Sequence, residues 1–250
     1  MLQEWRNLGS VHWPYDPAEV QRLLPKGLLV DTCNGAAWVG LIPFEMCNIR
    51  VPHFPALGRL STFPETNVRT YVLTPEGCRA VWFFSLDISR LLPAIVARTT
   101  YGLPYCWSSS TSTHDGIDTF TYTTARRWPR PQVNSRLELR VGAAVAQADL
   151  TELERFLTAR WALASRFAGM NLWADVAHAP WELHHSQILD CEDSLVTAAG
   201  LTPPAGDPLA LWSPGVKVRI GRPRRLSNLF YGIDEVSTVR SSRPTNNRDS

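Results

Sequence analysis

Lysine is the scarcest charged residue of this 250-residue sequence: Lys and Arg together number 25, and only Lys26 and Lys217 are lysine. Chemistry that needs a primary amine as nucleophile therefore has two side chains to draw on. Long apolar runs are missing too, so no transmembrane helix and no membrane partner are expected. Residues 1–7 carry Glu4 and Arg6 and lack an apolar signal core, which points to a cytoplasmic protein. Cys33, Cys47, Cys78, Cys106 and Cys191 are odd in number, widely spread and never in a C-x-x-C pair. That pattern excludes zinc-finger spacing and argues against a disulfide framework. With 25 basic against 23 acidic side chains the net charge is +2, so no strongly basic surface for nucleic acid is expected. The chain contains no G-x-G-x-x-G, G-x-x-x-x-G-K-[ST], H-E-x-x-H or G-x-S-x-G, and nothing supports dinucleotide binding, phosphoryl transfer or zinc hydrolysis.

What is present is enough to build a core. The hydrophobic fraction is 44% against 19% charged, which excludes a disordered chain. Ten Trp with 19 Pro and 15 Gly indicate many short elements joined by turns rather than a helical bundle. Asp16 with Pro17 and Glu19 signals a helix start, and Leu23-Leu24-Pro25 with Gly27 its end. Strands are read at 28–30, 36–44, 67–73, 79–86, 105–110, 117–124, 136–141, 181–189, 209–212 and 216–220. Residues 52–64 read as a Pro-studded loop and residues 89–98 as a short helix. Thr151 with Glu154 is a capping-box pattern for a further helix running through Phe156, Leu157 and Arg160. Residues 1–236 are expected to form one domain, followed by a disordered tail at 237–250.

No metal and no cofactor are expected. His184 and His185 are adjacent on a predicted strand, so their side chains point to opposite faces and do not chelate together. The basic run at 219–225 contains Gly221 and Pro223 and reads as a solvated strand end.

Several separated segments carry a resemblance. They are Trp5-Arg6 with His12-Trp13, then Phe63-Pro64-Glu65-Thr66-Asn67-Val68-Arg69-Thr70-Tyr71-Val72, and Ala97-Arg98-Thr99-Thr100-Tyr101-Gly102-Leu103-Pro104-Tyr105. With His178-Ala179-Pro180-Trp181 and Ser213-Pro214-Gly215-Val216 they resemble the uncharacterised YqjF-like family of the acetoacetate decarboxylase-like superfamily, over residues 1–225. The resemblance implies a mostly β fold: an antiparallel β-barrel with flanking helices and a central pocket. In the decarboxylases a pocket lysine forms a Schiff base with a β-keto acid, a second lysine lowers its pKa, and an arginine and two glutamates shape the site.

Carried over by position, the arginine matches Arg6 and the glutamates match Glu65 and, across an insertion, Glu45. The two lysine positions fall on Tyr105 and Cys106, neither of which has a primary amine. Lys217, flanked by Val216 and Val218, faces away if those valines face the core. The resemblance thus implies a decarboxylase-like protein without the imine route.

Glu65, Asn67, Arg69 and Tyr71 share one strand face at period two. In an ordinary sheet that face is solvated; in a barrel it is a hydrogen-bonding inner wall. An inward Glu65 is a candidate general acid or base. Tyr105 is a candidate donor to an enolate oxygen, or else fills the barrel. Arg6, Arg69 and Arg98 are candidates to grip a carboxylate, although Arg98 equally suits a helix C-terminus. Glu45, Tyr101 and Cys106 complete the substrate-binding candidates, with Cys106 better read as a buried, inert thiol. The Trp excess suits core or pocket lining. The expected partner is a small organic acid or keto compound, with proton transfer at its α-carbon as the chemistry. The alternative is a non-catalytic binding or sensing module, and a homo-oligomer is compatible with either.

Overall fold

The computed structural model describes residues 1–50, 62–90, 101–130 and 132–226. The expected loop at 52–64 and helix at 89–98 lie mostly outside those residues, and Arg98 and the tail from 237 lie wholly outside them.

Strands dominate the described residues and join in one 14-stranded, ring-like sheet. The chain opens with β1 (Leu2–Tyr15), which the sequence pattern does not announce. Its stretch from Leu8 to Trp13 is buried on both faces, so no period-two alternation marks it. Asp16 then caps α1 (Pro17–Gln21) by accepting from the Ala18 N–H at 2.8 Å. The helix ends at Gln21 rather than running on to Pro25, and Leu23 and Leu24 continue only as i→i+3 turns. The short strands β2 (Leu29–Val30) and β3 (Thr32–Cys33) lead into β4 (Ala36–Arg50). The hairpin β5 (Phe63–Leu73) and β6 (Arg79–Ile88) forms where expected.

The meander β7 (Tyr105–His114), β8 (Thr119–Trp128) and β9 (Asn134–Val145) follows. Next comes α2 (Glu152–Thr158), whose capping box is complete: Glu154 N–H donates to Thr151 Oγ1 and Thr151 N–H to Glu154 Oε2. This helix stops at Thr158, so Arg160 belongs to the connection that follows it and not to the helix. Two strands that the sequence reading omits, β10 (Ala162–Phe167) and β11 (Met170–His178), come next. After β12 (Leu183–Asp193) and the short α3 (Leu195–Ala198), β13 (Leu209–Ile220) forms one strand where two were read. Gly215 permits that continuity: its φ is +125°, and a Cβ there would sit 1.8 Å from the Trp5 carbonyl oxygen. The two-residue β14 (Arg224–Arg225) pairs with β11.

The pairings close two circuits. One runs β6–β7–β8–β9–β12–β13–β1–β4–β5 and back to β6. The other leaves β6 through the parallel β10, continues by β11 to β13, and returns along β1, β4 and β5. The strands β13–β1–β4–β5–β6 are therefore a shared wall, buried on both faces. One face carries Val11, Val39, Leu41 and Val68 against Phe120, Tyr122 and Leu139. The other carries Phe44, Met46, Ile88 and Leu86, facing Trp181, Leu163 and Val176. Burial on both sides is why residues 36–44 read as a nearly unbroken apolar run.

Candidate functional site

The polar face of β5 points inward. Glu65, Asn67 and Arg69 line a narrow cavity of ≈ 60 Å³ inside the second circuit, so the solvated alternative for this face does not hold. Strand register explains the grouping. Asn67 pairs with Leu86 of β6, and Leu86 pairs with Tyr105 of β7, which sets the three in one row across the sheet. The rest of the wall is largely aromatic and aliphatic, including Trp5, Phe44, Phe83 and Trp181. Trp5 stacks on Trp181 with ring centroids 5.9 Å apart.

Burial sets the protonation of this wall. The Glu65 carboxyl is 2% exposed. Burial pushes its pKa up to about 8, a hydrogen bond to Asn67 opposes the rise, and Asp87 adds to it. Burial likewise holds the Tyr105 hydroxyl well above the usual tyrosine range, with the Glu65 charge adding to the effect. At neutral pH both groups therefore carry their protons. Several buried polar atoms of the lining have no hydrogen-bond partner among the described residues: Trp5 Nε1, Glu65 Oε2, Asn67 Oδ1, Arg69 Nε, and Nε and Nη2 of Arg160. Folded proteins leave few such groups unsatisfied, so their convergence on one cavity marks it as the candidate site.

Behind this wall lies a buried chain of hydrogen bonds. Tyr71 gives its hydroxyl proton to the Leu157 carbonyl at 2.9 Å, so His12 Nε2–H donates to the Tyr71 oxygen at 2.7 Å. His12 Nδ1 then accepts from Ser10 Oγ at 3.3 Å. Burial, with Arg69 nearby, lowers the His12 pKa well below the usual histidine value and keeps the ring neutral. The chain ties the end of α2 to β5 and β1. In doing so it positions Leu157, Thr158 and Arg160 against the cavity. Gly40 gives His12 its space, since a Cβ there would lie 2.5 Å from Nε2.

The other sequence candidates lie elsewhere. Arg6 is exposed, holds Glu4 through Nε and Nη2 at 3.0 and 3.1 Å, and lines an outer cleft of ≈ 700 Å³ rather than the cavity. Glu45 accepts from Asn7 Nδ2 at 3.3 Å, outside the cavity lining. Tyr101 gives its hydroxyl to the Gly221 carbonyl at 3.3 Å, beside Tyr105 but outside the lining. Cys106, next along β7 from Tyr105, points to the opposite face, opposite Asp87, and its thiol donates to the Pro104 carbonyl at 3.7 Å. On that face Arg126 grips Asp87 through Nε and Nη2 at 2.7 and 2.6 Å, a buried bidentate pair. Lys217 is exposed on the rim of the outer cleft, as its flanking valines imply, and Lys26 is exposed as well. Gln3 and His178 border both the outer cleft and the cavity.

Sequence reasoning missed Arg160. Its only local signal was a basic residue at the end of a predicted helix, which reads equally well as a helix cap. Among the described residues no group of His, Cys, Asp and Glu is placed to hold a metal ion. None of the described helices is long and apolar enough to cross a membrane.

Residues 2–217 match the model of the DUF2071 family, described as uncharacterised conserved proteins. The uncharacterised protein YqjF of Bacillus subtilis (strain 168) is 32% identical over 209 residues, covering 84% of this chain and 85% of that protein. Among solved structures, the enduracididine biosynthesis enzyme MppR complexed with pyruvate superposes with a TM-score of 0.61 at 15% identity, over 91% of each chain. Acetoacetate decarboxylase from Legionella pneumophila superposes with a TM-score of 0.63 at 9% identity, over 90% of this chain and 87% of the other. At such identities the likeness is one of fold.

Proposed function

We propose, for a chain that belongs to the DUF2071 family and shares the acetoacetate decarboxylase-like fold, that the cavity is a central pocket that binds a small organic acid or keto compound and moves a proton at its α-carbon. The observation that carries this reading is Glu65, buried and poised near pH 8 in one wall with Asn67 and Tyr105. A base is most effective when its pKa lies near working pH. The ionised fraction of Glu65 takes the α-proton, and Tyr105, which keeps its own proton, donates to the developing enolate oxygen. The imine route of the decarboxylases has no amine here, since neither Lys26 nor Lys217 lines the cavity. Pyruvate bound to MppR, a protein of the same fold, gives the size and class of compound to try first.

The test is proton NMR in D₂O on a panel of 2-keto acids, β-keto acids and 1,3-dicarbonyls, with the protein, with the Glu65→Gln variant and with buffer alone. Deuterium entering the α-position above both controls is expected, rising with pH to a plateau above about 8 as Glu65 ionises. Line-broadening without exchange would leave a binding module in place of an enzyme.

A further inference from the structure

Arg160 is a buried cation that neither the resemblance nor the proton-transfer reading uses. Its side chain is 4% exposed and its guanidinium is clamped between rings, with Cζ 4.3 Å from the centre of Phe156 and 4.8 Å from that of Tyr71. Tyr71 is itself fixed by His12 and the Leu157 carbonyl. Asp31 Oδ2 lies 2.9 Å from Arg160 Nη2 and forms an ion pair with it. Asp31 also faces the exposed Arg79, whose Nε is 3.3 Å away.

Two features single out the Arg160 side chain. Its Nε and Nη2 form one edge of the guanidinium, the edge that grips a carboxylate with two parallel hydrogen bonds. Arg126 uses that same edge on Asp87, and Arg6 uses it on Glu4. In Arg160, a residue of the cavity lining, Nε is buried with no hydrogen-bond partner among the described residues and Nη2 has only its ion pair with Asp31. The second feature is charge. Arg69 and Arg160 both line the cavity, and Asp31, the carboxylate paired with Arg160, is shared with Arg79. One carboxylate shared between two guanidinium groups leaves positive charge in excess beside the cavity, and a buried charge needs a partner.

We propose that Arg160 is the anion anchor of the cavity: it receives the carboxylate of a small monoanionic acid, aided by Arg69, and leaves the uncharged end of the ligand toward Glu65 and Tyr105. At about 10–15 Å³ per water-sized position, ≈ 60 Å³ holds about four to six non-hydrogen atoms, the size of a three- or four-carbon monocarboxylate. This anchor rests on the small-acid reading of the same cavity but does not need proton transfer to occur.

Propionate and propionamide share a shape and differ in charge, so the pair tests the anchor by NMR titration at pH 7. Wild type should prefer propionate by about tenfold or more, the worth of a charge-assisted bidentate contact. Arg160→Gln should lose that preference, and Arg160→Lys, which keeps the charge without the fork, should retain only part of it. Equal affinity for the two compounds, no binding of either, or a preference that persists in Arg160→Gln would overturn the proposal. Should the Gln variant fail to melt cooperatively, the Lys variant decides, and wild-type affinity there would overturn it. A Glu65→Gln variant that keeps the propionate preference while deuterium exchange is absent even in wild type would support the anchor and sink only the proton-transfer reading.

Discussion

Replacing Glu65 by Gln changes one proton and almost no volume, so its effect on stability can be worked from the burial of the carboxyl. An unfolded chain releases that proton near the ordinary value of 4.5, whereas the folded chain holds it up to about 8. At pH 7 the folded state therefore holds a proton across about 2.5 pH units, at about 1.4 kcal/mol per unit, a cost of about 3 kcal/mol. A folded-state pKa raised above the unfolded one contributes stability that is fully present below pH 4.5 and is lost as pH rises through 8. Gln has no proton to lose. The Glu65→Gln variant should therefore gain on the wild type steadily as pH rises, with no titration-linked difference near pH 4.5 and about 3 kcal/mol at pH 7. Urea unfolding of both proteins at half-unit steps from pH 4.5 to 9 measures this. The difference between the two curves cancels His12 and the surface groups. Altered amide hydrogen bonding would offset the difference by a constant, so the slope is the observable. A difference that stays flat from pH 5 to 8 would show that Glu65 titrates normally, and would remove both its burial and its role as a poised base.

Other expectations follow from the same packing. Gly40→Ala should push His12 off Tyr71 and destabilise the fold by about 1–3 kcal/mol, visible as an earlier urea midpoint; an unchanged midpoint would mean that His12 has room to move. Asp87→Asn leaves the buried Arg126 charge uncompensated and should cost about 3–5 kcal/mol, whereas Asp87→Leu with Arg126→Met should cost far less. Equal losses in the single and double variants would refute that account. Thr151→Ala removes half of the capping box at α2 and should lower stability by about 1 kcal/mol. Because α2 leads into Arg160, the same change should weaken propionate binding if the helix end positions that side chain, and NMR titration reads this directly.

Local signals carried far where chemistry and geometry are local. Asp16 with Pro17 and Thr151 with Glu154 mark both helix starts, because a cap is made by residues two or three apart. Helix ends were less legible: Pro25 and Arg160 lie beyond the last helical turns, since nothing in the chain between Gln21 and Pro25 enforces a stop at one residue. Strands buried on one face are legible as alternation, as at 117–124 and 136–141. β1 is not, because a strand buried on both sides shows no alternation.

Composition, motifs and local pattern are enough to mark a mostly β protein of the YqjF-like family, with two lysines and a polar period-two face on β5. Alternation is a property of the chain, and so is a missing amine. Which side of that face meets solvent was settled only by the second circuit, where β10 and β11 cross from β6 to β13 and enclose it. Tertiary structure alone brought Arg160 beside Tyr71 and Asp31, from segments far apart in sequence. It also sent Arg6 outward to Glu4. A pocket is made by contacts between distant strands, and no spacing within one strand encodes them.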